Sequence, residues 1–324
     1  MGKKFIIRCL ALVVIVSGYQ KSFAQDPEFT QFYANPVYLN PAFAGTFRCP
    51  RVSLNYRNQW PSIRDAFVTY SATYDQHVEA LSGGVGIMVT SDRAGTGALT
   101  TNSAALVYSY QLPITRKFSI QAGAQVNYTE RSVDWDELTF GDMIDPRRGF
   151  VYTTQEQRVS EPVRFPDFSV GALGFSERFF GGFAIHHLTE PDEGFLNESP
   201  LYRKYTLHGG AVIPVRIAGV EKGVVSPNLM YRSQGGTNQI NFGLYGTRGP
   251  IVGGLWFRQN FNNSDSFIAL IGFYMDTFKV GYSYDITVSP FTNQSGGSHE
   301  LSFTLQFGCR KKRVKWRTAR CPTF

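Results

Sequence analysis

Leu301, Phe303, Leu305 and Phe307 alternate with Glu300, Ser302, Thr304 and Gln306. A strand repeats its side-chain direction every two residues, so this segment has one apolar face and one polar face. The pattern recurs through most of the chain in stretches of about ten residues, the length of a strand that crosses a bilayer at a tilt. Beyond residue 24, no apolar run approaches the ~18 residues that a membrane helix needs. The pattern therefore predicts an all-β fold. The architecture expected is a closed antiparallel transmembrane β-barrel, with its apolar face on lipid and its polar face on the lumen.

Residues 1–24 read as a signal peptide. Lys3, Lys4 and Arg8 form a basic start, Cys9 to Val16 an apolar core, and Ser22-Phe23-Ala24 a small-residue cleavage site. Export places a barrel in the bacterial cell outer membrane, among lipid, and makes nucleic acid a poor partner despite a formal charge of +7. That charge sits at the two ends. The leader holds four basic residues and the stretch from Arg310 holds seven, with no acid in either, so the region between them is −4. Seventeen Tyr, 27 Phe and 32 Gly suit aromatic girdles and close-packed strand backbones.

About fourteen strands are expected, near 51–58, 66–77, 83–91, 99–110, 117–128, 167–176, 179–188, 204–214, 223–232, 238–247, 250–258, 266–275, 277–286 and 298–308. In 117–128, Phe118, Ile120, Ala122, Ala124, Val126 and Tyr128 should face lipid, while Gln121, Gln125 and Asn127 face the lumen. The stretch 266–275 is the least clear, because Ile268-Ala269-Leu270-Ile271 is apolar on both faces. An even strand count puts both barrel ends in the periplasm and the longer connections outside. The connection 129–166 is long and acidic and is expected to be functional or to fold into the lumen.

The chain divides into a leader (1–24), an N-terminal plug-like segment (25–50), the barrel (51–309) and a basic periplasmic tail (310–324). Residues 25–50 do not alternate. They carry two turn signals, Asn35-Pro36 and Asn40-Pro41, and too many apolar residues for a free linker. A compact segment in the barrel mouth accounts for both, with Asn35, Pro36, Asn40, Pro41 and Gly45 as candidate plug or partner contacts.

Catalytic patterns are missing. No metalloprotease, nucleophile-elbow or phosphate-loop motif occurs. His186 and His187 are neighbours in an expected strand, so they should face opposite ways, as should Ser298, His299 and Glu300. No enzyme, metal site or cofactor is expected. Gly83-Gly84 and Gly181-Gly182 are expected to let strands bend.

Several separated motifs resemble those of the PorP/SprF family. They are Gln25-Asp26-Pro27-Glu28-Phe29-Thr30-Gln31-Phe32-Tyr33, then Asn35-Pro36 and Asn40-Pro41-Ala42-Phe43-Ala44-Gly45. Tyr56-Arg57-Asn58-Gln59-Trp60-Pro61, Tyr282-Ser283-Tyr284-Asp285 and Gly296-Gly297-Ser298-His299-Glu300 follow in order, and the basic end closes on Cys321-Pro322-Thr323-Phe324. The resemblance implies an outer-membrane protein of the type IX secretion and gliding-motility system. It further implies support of secretion, or of surface display and anchoring of a secreted protein such as an adhesin. Implied partners are that secreted protein and periplasmic, peptidoglycan-linked components. A rival from another class is a passive channel for hydrophobic small molecules, which would need an apolar lumen stripe. The inward residues of the clean strands are mostly Ser, Thr, Asn, Gln and Gly.

Cys49, Cys309 and Cys321 remain after cleavage, enough for one disulfide in an oxidising periplasm. Cys309–Cys321 is favoured by short separation, with Cys49–Cys321 next. Either bond would present Arg310, Lys311, Lys312, Arg313, Lys315 and Arg317 as a basic docking loop.

Overall fold

A computed structural model describes residues 26–47, 49–63, 67–95, 98–115, 117–156, 158, 161–217, 220–261, 264–275, 277–288 and 296–308. The leader, Cys309, Cys321 and the basic tail lie outside the described residues.

Fourteen antiparallel strands close into one barrel. They are β1 (Arg51–Gln59), β2 (Phe67–Val78), β3 (Gly83–Ala94), β4 (Leu99–Pro113), β5 (Ser119–Val133), β6 (Val163–Phe175) and β7 (Phe179–His186). Strand β8 runs as Lys204–Ala211 and Ile213–Ile217, two stretches that both pair with the next strand. Then come β9 (Val220–Gln234), β10 (Thr237–Arg248), β11 (Ile251–Asn260), β12 (Ser264–Tyr274), β13 (Phe278–Thr287) and β14 (Ser298–Gln306). Closure is the β1–β14 ladder, from Arg51 opposite Gln306 to Gln59 opposite Ser298.

Every expected strand is present, and the alternation sorts the faces. Val126 is 48% exposed on the outer wall, whereas Gln125 beside it is 3% exposed and points inward. Leu106, Leu255 and Ile271 also stand out from the barrel, so its exterior is a continuous apolar band. In water such a band would be a severe liability; in a bilayer it is the contact with lipid. The ambiguous 266–275 stretch resolves as β12, with Ile268 and Leu270 inward and Phe267 and Ile271 outward.

The longest connections, 134–162, 187–203 and 288–297, lie together at one end of the barrel. The other end carries both barrel termini and tight links such as 176–178 and 249–250. That asymmetry marks the first end as extracellular and the second as periplasmic. The 134–162 connection contains two 3-10 turns and a two-residue hairpin, Ile144–Asp145 with Gly149–Phe150. Most of its side chains are exposed, so it stands outside rather than folding into the lumen as one expectation had it. Its length does not need luminal packing, because β5 and β6 reach further outward than the alternation alone indicated.

The hydrophobic core is inside the barrel. Phe32, Tyr33, Leu39 and Phe43 of the N-terminal segment pack with Leu173, Phe180, Met230, Tyr245, Trp256 and Ile268 of the wall. One sector of the lumen is therefore apolar, and it is covered by the chain's own aromatic side chains.

Candidate functional site

The two Asn-Pro pairs that read as turns start helical turns. Pro36 opens one α-helical turn (Pro36–Leu39), and Pro41 opens a 3-10 turn (Pro41–Phe43). Proline suits a first helical position because its fixed φ is already helical and its missing N–H has no partner there. Asn40 caps the second turn, its Oδ1 accepting the Ala42 N–H at 2.9 Å. Its Nδ2 donates to the carbonyls of Ala172 and Phe183 at 3.1 and 3.0 Å, which pins the turn to β6 and β7. Asn35 Nδ2 donates to Ser71 Oγ on β2 at 2.9 Å. Gly45 has φ +66°, and a Cβ there would lie 2.5 Å from the Gly84 Cα, so only glycine fits. Asn35, Pro36, Asn40, Pro41 and Gly45 are all buried, in contact with the wall rather than facing outward.

Residues 26–47 thread the lumen from its outer end to the periplasmic rim. Asp26 meets His187 and Lys204 where β7 and β8 end outside. Gly45 N–H donates to Asp75 Oδ2 at 2.8 Å near the periplasmic end of β2. There Arg51 Nε donates to Asp75 Oδ1 at 2.8 Å, and the Arg51 guanidinium lies 4.6 Å from the Phe47 ring centroid. Cys49, next to this rim, is disulfide-bonded. The partner thiol lies outside the described residues. Sequence separation alone ranks a bond at Cys49 second, behind Cys309–Cys321.

Midway, four of the sequence motifs meet. Glu300 accepts the backbone N–H groups of Thr30 and Gln31 at 2.5 and 3.0 Å, one on each carboxylate oxygen. Thr30 Oγ1 donates to Asp285 Oδ2 at 2.8 Å and accepts from Arg258 at 3.1 Å and from Arg57. Arg57 also pairs with Asp285 at 3.0 Å and with Glu300 at 3.4 Å. Arg57 is 2% exposed and Glu300 0%. Isolated charges at such depth would be prohibitively costly. Two guanidinium groups against two carboxylates, sharing one threonine hydroxyl, make the cluster neutral and hydrogen-bonded.

Above this cluster a cavity of about 420 Å³ lies between the acidic head of the segment and the wall. It sits at the extracellular end, lined by Glu28, Arg57, Trp60, Arg232, Gln239 and Arg258 among others. Glu28 pairs with Arg232 at 2.9 Å and accepts from Gln239 Nε2 at 3.1 Å.

Type IX secretion system membrane protein PorP/SprF is the family model that matches, over residues 21–305. The chain belongs to the PorP/SprF family. It is an outer-membrane β-barrel protein. A comparison with curated proteins gives no match. Among solved structures, the PorP/SprF chain is similar to Omp33 of Acinetobacter baumannii at 10% identity and a TM-score of 0.45, covering 80% of this chain and 99% of that one. The deltaS2S3 mutant of TodX, described as a monoaromatic hydrocarbon channel, matches at 10% identity and TM-score 0.44, covering 83% and 92%. KdgM porin matches at 10% and 0.39, covering 79% and 99%.

In this PorP/SprF barrel, one sequence expectation fails for a local reason. His186 and His187 were expected to face opposite ways, but β7 ends at His186 and His187 takes φ +58°. The turn brings the His187 ring between Asp167 and Asp26, at 2.8 Å from each. Burial alone would lower its pKa, but the Asp26 and Asp167 carboxylates raise it to about 9. No group of three His, Cys, Asp or Glu side chains suited to a metal occurs among the described residues. The Gly-Gly pairs do more than permit bending. A Cβ on Gly84 would lie 2.2 Å from the Ala44 carbonyl oxygen, and one on Gly182 would lie 3.1 Å from Asn40 Nδ2. Both glycines make room for the threading segment.

Sequence reasoning missed the ion cluster. The signal was there: Arg57, Arg232, Arg258, Asp285 and Glu300 all occupy inward positions of alternating strands. Charges of both signs on the lumen side of several strands point to pairing across a closed barrel. The partners themselves are not deducible without register.

Proposed function

We propose that this chain is the outer-membrane barrel of a type IX secretion system that supports secretion, or surface display and anchoring, of a secreted protein such as an adhesin. The observation that carries this reading is the family match, which spans the barrel and the threading segment alike. The filled lumen favours it over a channel for hydrophobic small molecules. The apolar luminal sector that such a channel would offer its solute is covered by Phe32, Tyr33, Leu39 and Phe43. Family and fold are non-enzymatic in kind.

The long external connections 134–162 and 187–203 are the surface on which a secreted partner would be met. On the periplasmic side, the basic residues Arg310 to Arg317 would dock acidic periplasmic or peptidoglycan-linked components. Deleting the gene should abolish surface display of the partner without reducing its synthesis. Removing 310–324 alone should weaken capture of periplasmic components in a pull-down from the native membrane. Unchanged display together with impaired uptake of a hydrophobic nutrient would replace this reading with the channel.

A further inference from the structure

The wall at the outer end of the lumen carries cationic side chains that its own carboxylates do not pair; Asp92, which also lines the vestibule, accepts from Thr69 Oγ1 at 2.6 Å instead. Arg57 and Arg258 are held by Asp285, with Glu300 also on Arg57, and His187 has Asp167. Lys204 and Arg232 are different. Among the described residues their ion pairs run only to the threading segment, Lys204 to Asp26 and Arg232 to Glu28. Their aromatic neighbours belong to the same segment, with Tyr38 centred 5.2 Å from Lys204 Nζ and Phe32 5.7 Å from the Arg232 guanidinium. Both cations are more than nine-tenths buried, at 7% and 8% exposed. A buried cation needs a counter-charge, so something anionic must stand at each of these positions in any stable state.

The head of the segment meets that need in the manner of a bound peptide. Its two carboxylates, two residues apart, fall on two separate cationic subsites. Asp26 takes Lys204 and His187, and Glu28 takes Arg232 and Arg258. The backbone is read as well, the Asp26 N–H donating to Gln234 Oε1 at 3.3 Å. Beside the head the vestibule keeps about 420 Å³ of open space. Among its lining side chains, Arg57 Nε, Arg232 Nε and Gln239 Oε1 are buried and without a hydrogen-bond partner. The head of the segment leaves this space and these polar groups unused.

We propose that this vestibule is a binding site for an acidic, extended polypeptide segment of a partner, and that Asp26–Phe29 is a stand-in ligand holding the site in cis. The partner segment would carry carboxylates two residues apart, followed by an aromatic side chain, and would enter from the extracellular end. A small anion such as phosphate fits less well, because it cannot reach both cationic subsites at once. The proposal does not depend on the secretion reading.

The test uses the full chain purified in detergent, and the fluorescently labelled peptide Gln-Asp-Pro-Glu-Phe-Thr-Gln-Phe-Tyr. The control peptide has Asn and Gln in place of the two acids. In the variant Asp26→Asn/Glu28→Gln the cis head no longer competes, so the acidic peptide should bind at least about tenfold tighter than to the unaltered chain. The gain should shrink with added salt and vanish when Lys204→Gln and Arg232→Gln are added. Heat-modifiable gel migration verifies that each variant is folded. Where the double variant is not, Glu28→Gln alone keeps the Asp26 anchor and should still rank the acidic peptide above the neutral one. Equal binding of the two peptides overturns the proposal. So does equal binding by variant and unaltered chain, or inorganic phosphate binding as tightly as the peptide.

Discussion

Gly123→Ala tests the threaded lumen by the sign of its effect. Gly123 sits on the inner face of β5, where the Pro41–Phe43 turn rests on the wall. A Cβ at this position would lie 2.4 Å from both the Ala42 nitrogen and the Pro41 carbonyl carbon. Those are backbone atoms, pinned by the Asn40 hydrogen bonds to β6 and β7, so no side chain can swing away to relieve the clash. In an empty lumen the same substitution would stabilise the barrel by roughly 0.5–1 kcal/mol, because alanine loses less backbone entropy than glycine in a strand. With the segment seated, overpacking costs about 1–3 kcal/mol and cancels or reverses that gain, for a net loss of roughly 0–2.5 kcal/mol. Gly253→Ala is the control, on the lipid face with nothing within 4 Å of its Cβ position. Urea unfolding in detergent micelles, followed by heat-modifiable gel migration, measures both. The variant should also expose residues 26–47 to protease. If Gly123→Ala stabilises as much as Gly253→Ala does, the segment does not lie on β5 and the threading is wrong.

Val126→Arg, on the lipid face of β5, should cost up to ~2–4 kcal/mol if it lies near the bilayer midplane, and Asn127→Arg, facing the lumen, much less; equal losses in unfolding assays would mean that the register is displaced. Arg57→Met leaves Asp285 and Glu300 short of a counter-charge in the lumen and should destabilise by about 3–5 kcal/mol in the same assay, with partial recovery when Glu300→Gln is added. His187 has a pKa raised from 6.5 to about 9, so its contribution is complete below pH 6.5 and disappears as pH rises through 9. Unfolding midpoints of the unaltered chain and His187→Gln should therefore converge at alkaline pH, and a constant gap would refute the clamp with Asp26 and Asp167. Alkylation before and after reduction, with peptide mapping, should show Cys49 blocked until reduced and identify which thiol is released with it.

Much of the barrel was legible because its governing signal is local. Consecutive residues in a strand must face opposite ways, so Ile120, Val126, Val280 and Leu301 announce the lipid face wherever the chain is extended. The same rule failed at His187, where the strand had ended, and was mute at Ile268 and Leu270, where both faces are apolar. The Asn-Pro pairs signalled an interruption, and the structure turned them into two helical turns inside the barrel, the second capped by Asn40.

Strand number, facing and the outer-membrane address are thus written in the order of residues, since each follows from a period of two and the apolar band that it builds. The threading of 26–47, the pairing of Arg57 with Asp285 and Glu300, and the cationic vestibule around Asp26 and Glu28 are not. They require closure and register, which bring together groups far apart in the chain, such as Thr30 and Glu300, separated by 270 residues. Alternation says that such groups face inward. Only the closed barrel, with its strands staggered in one register, decides which of them touch.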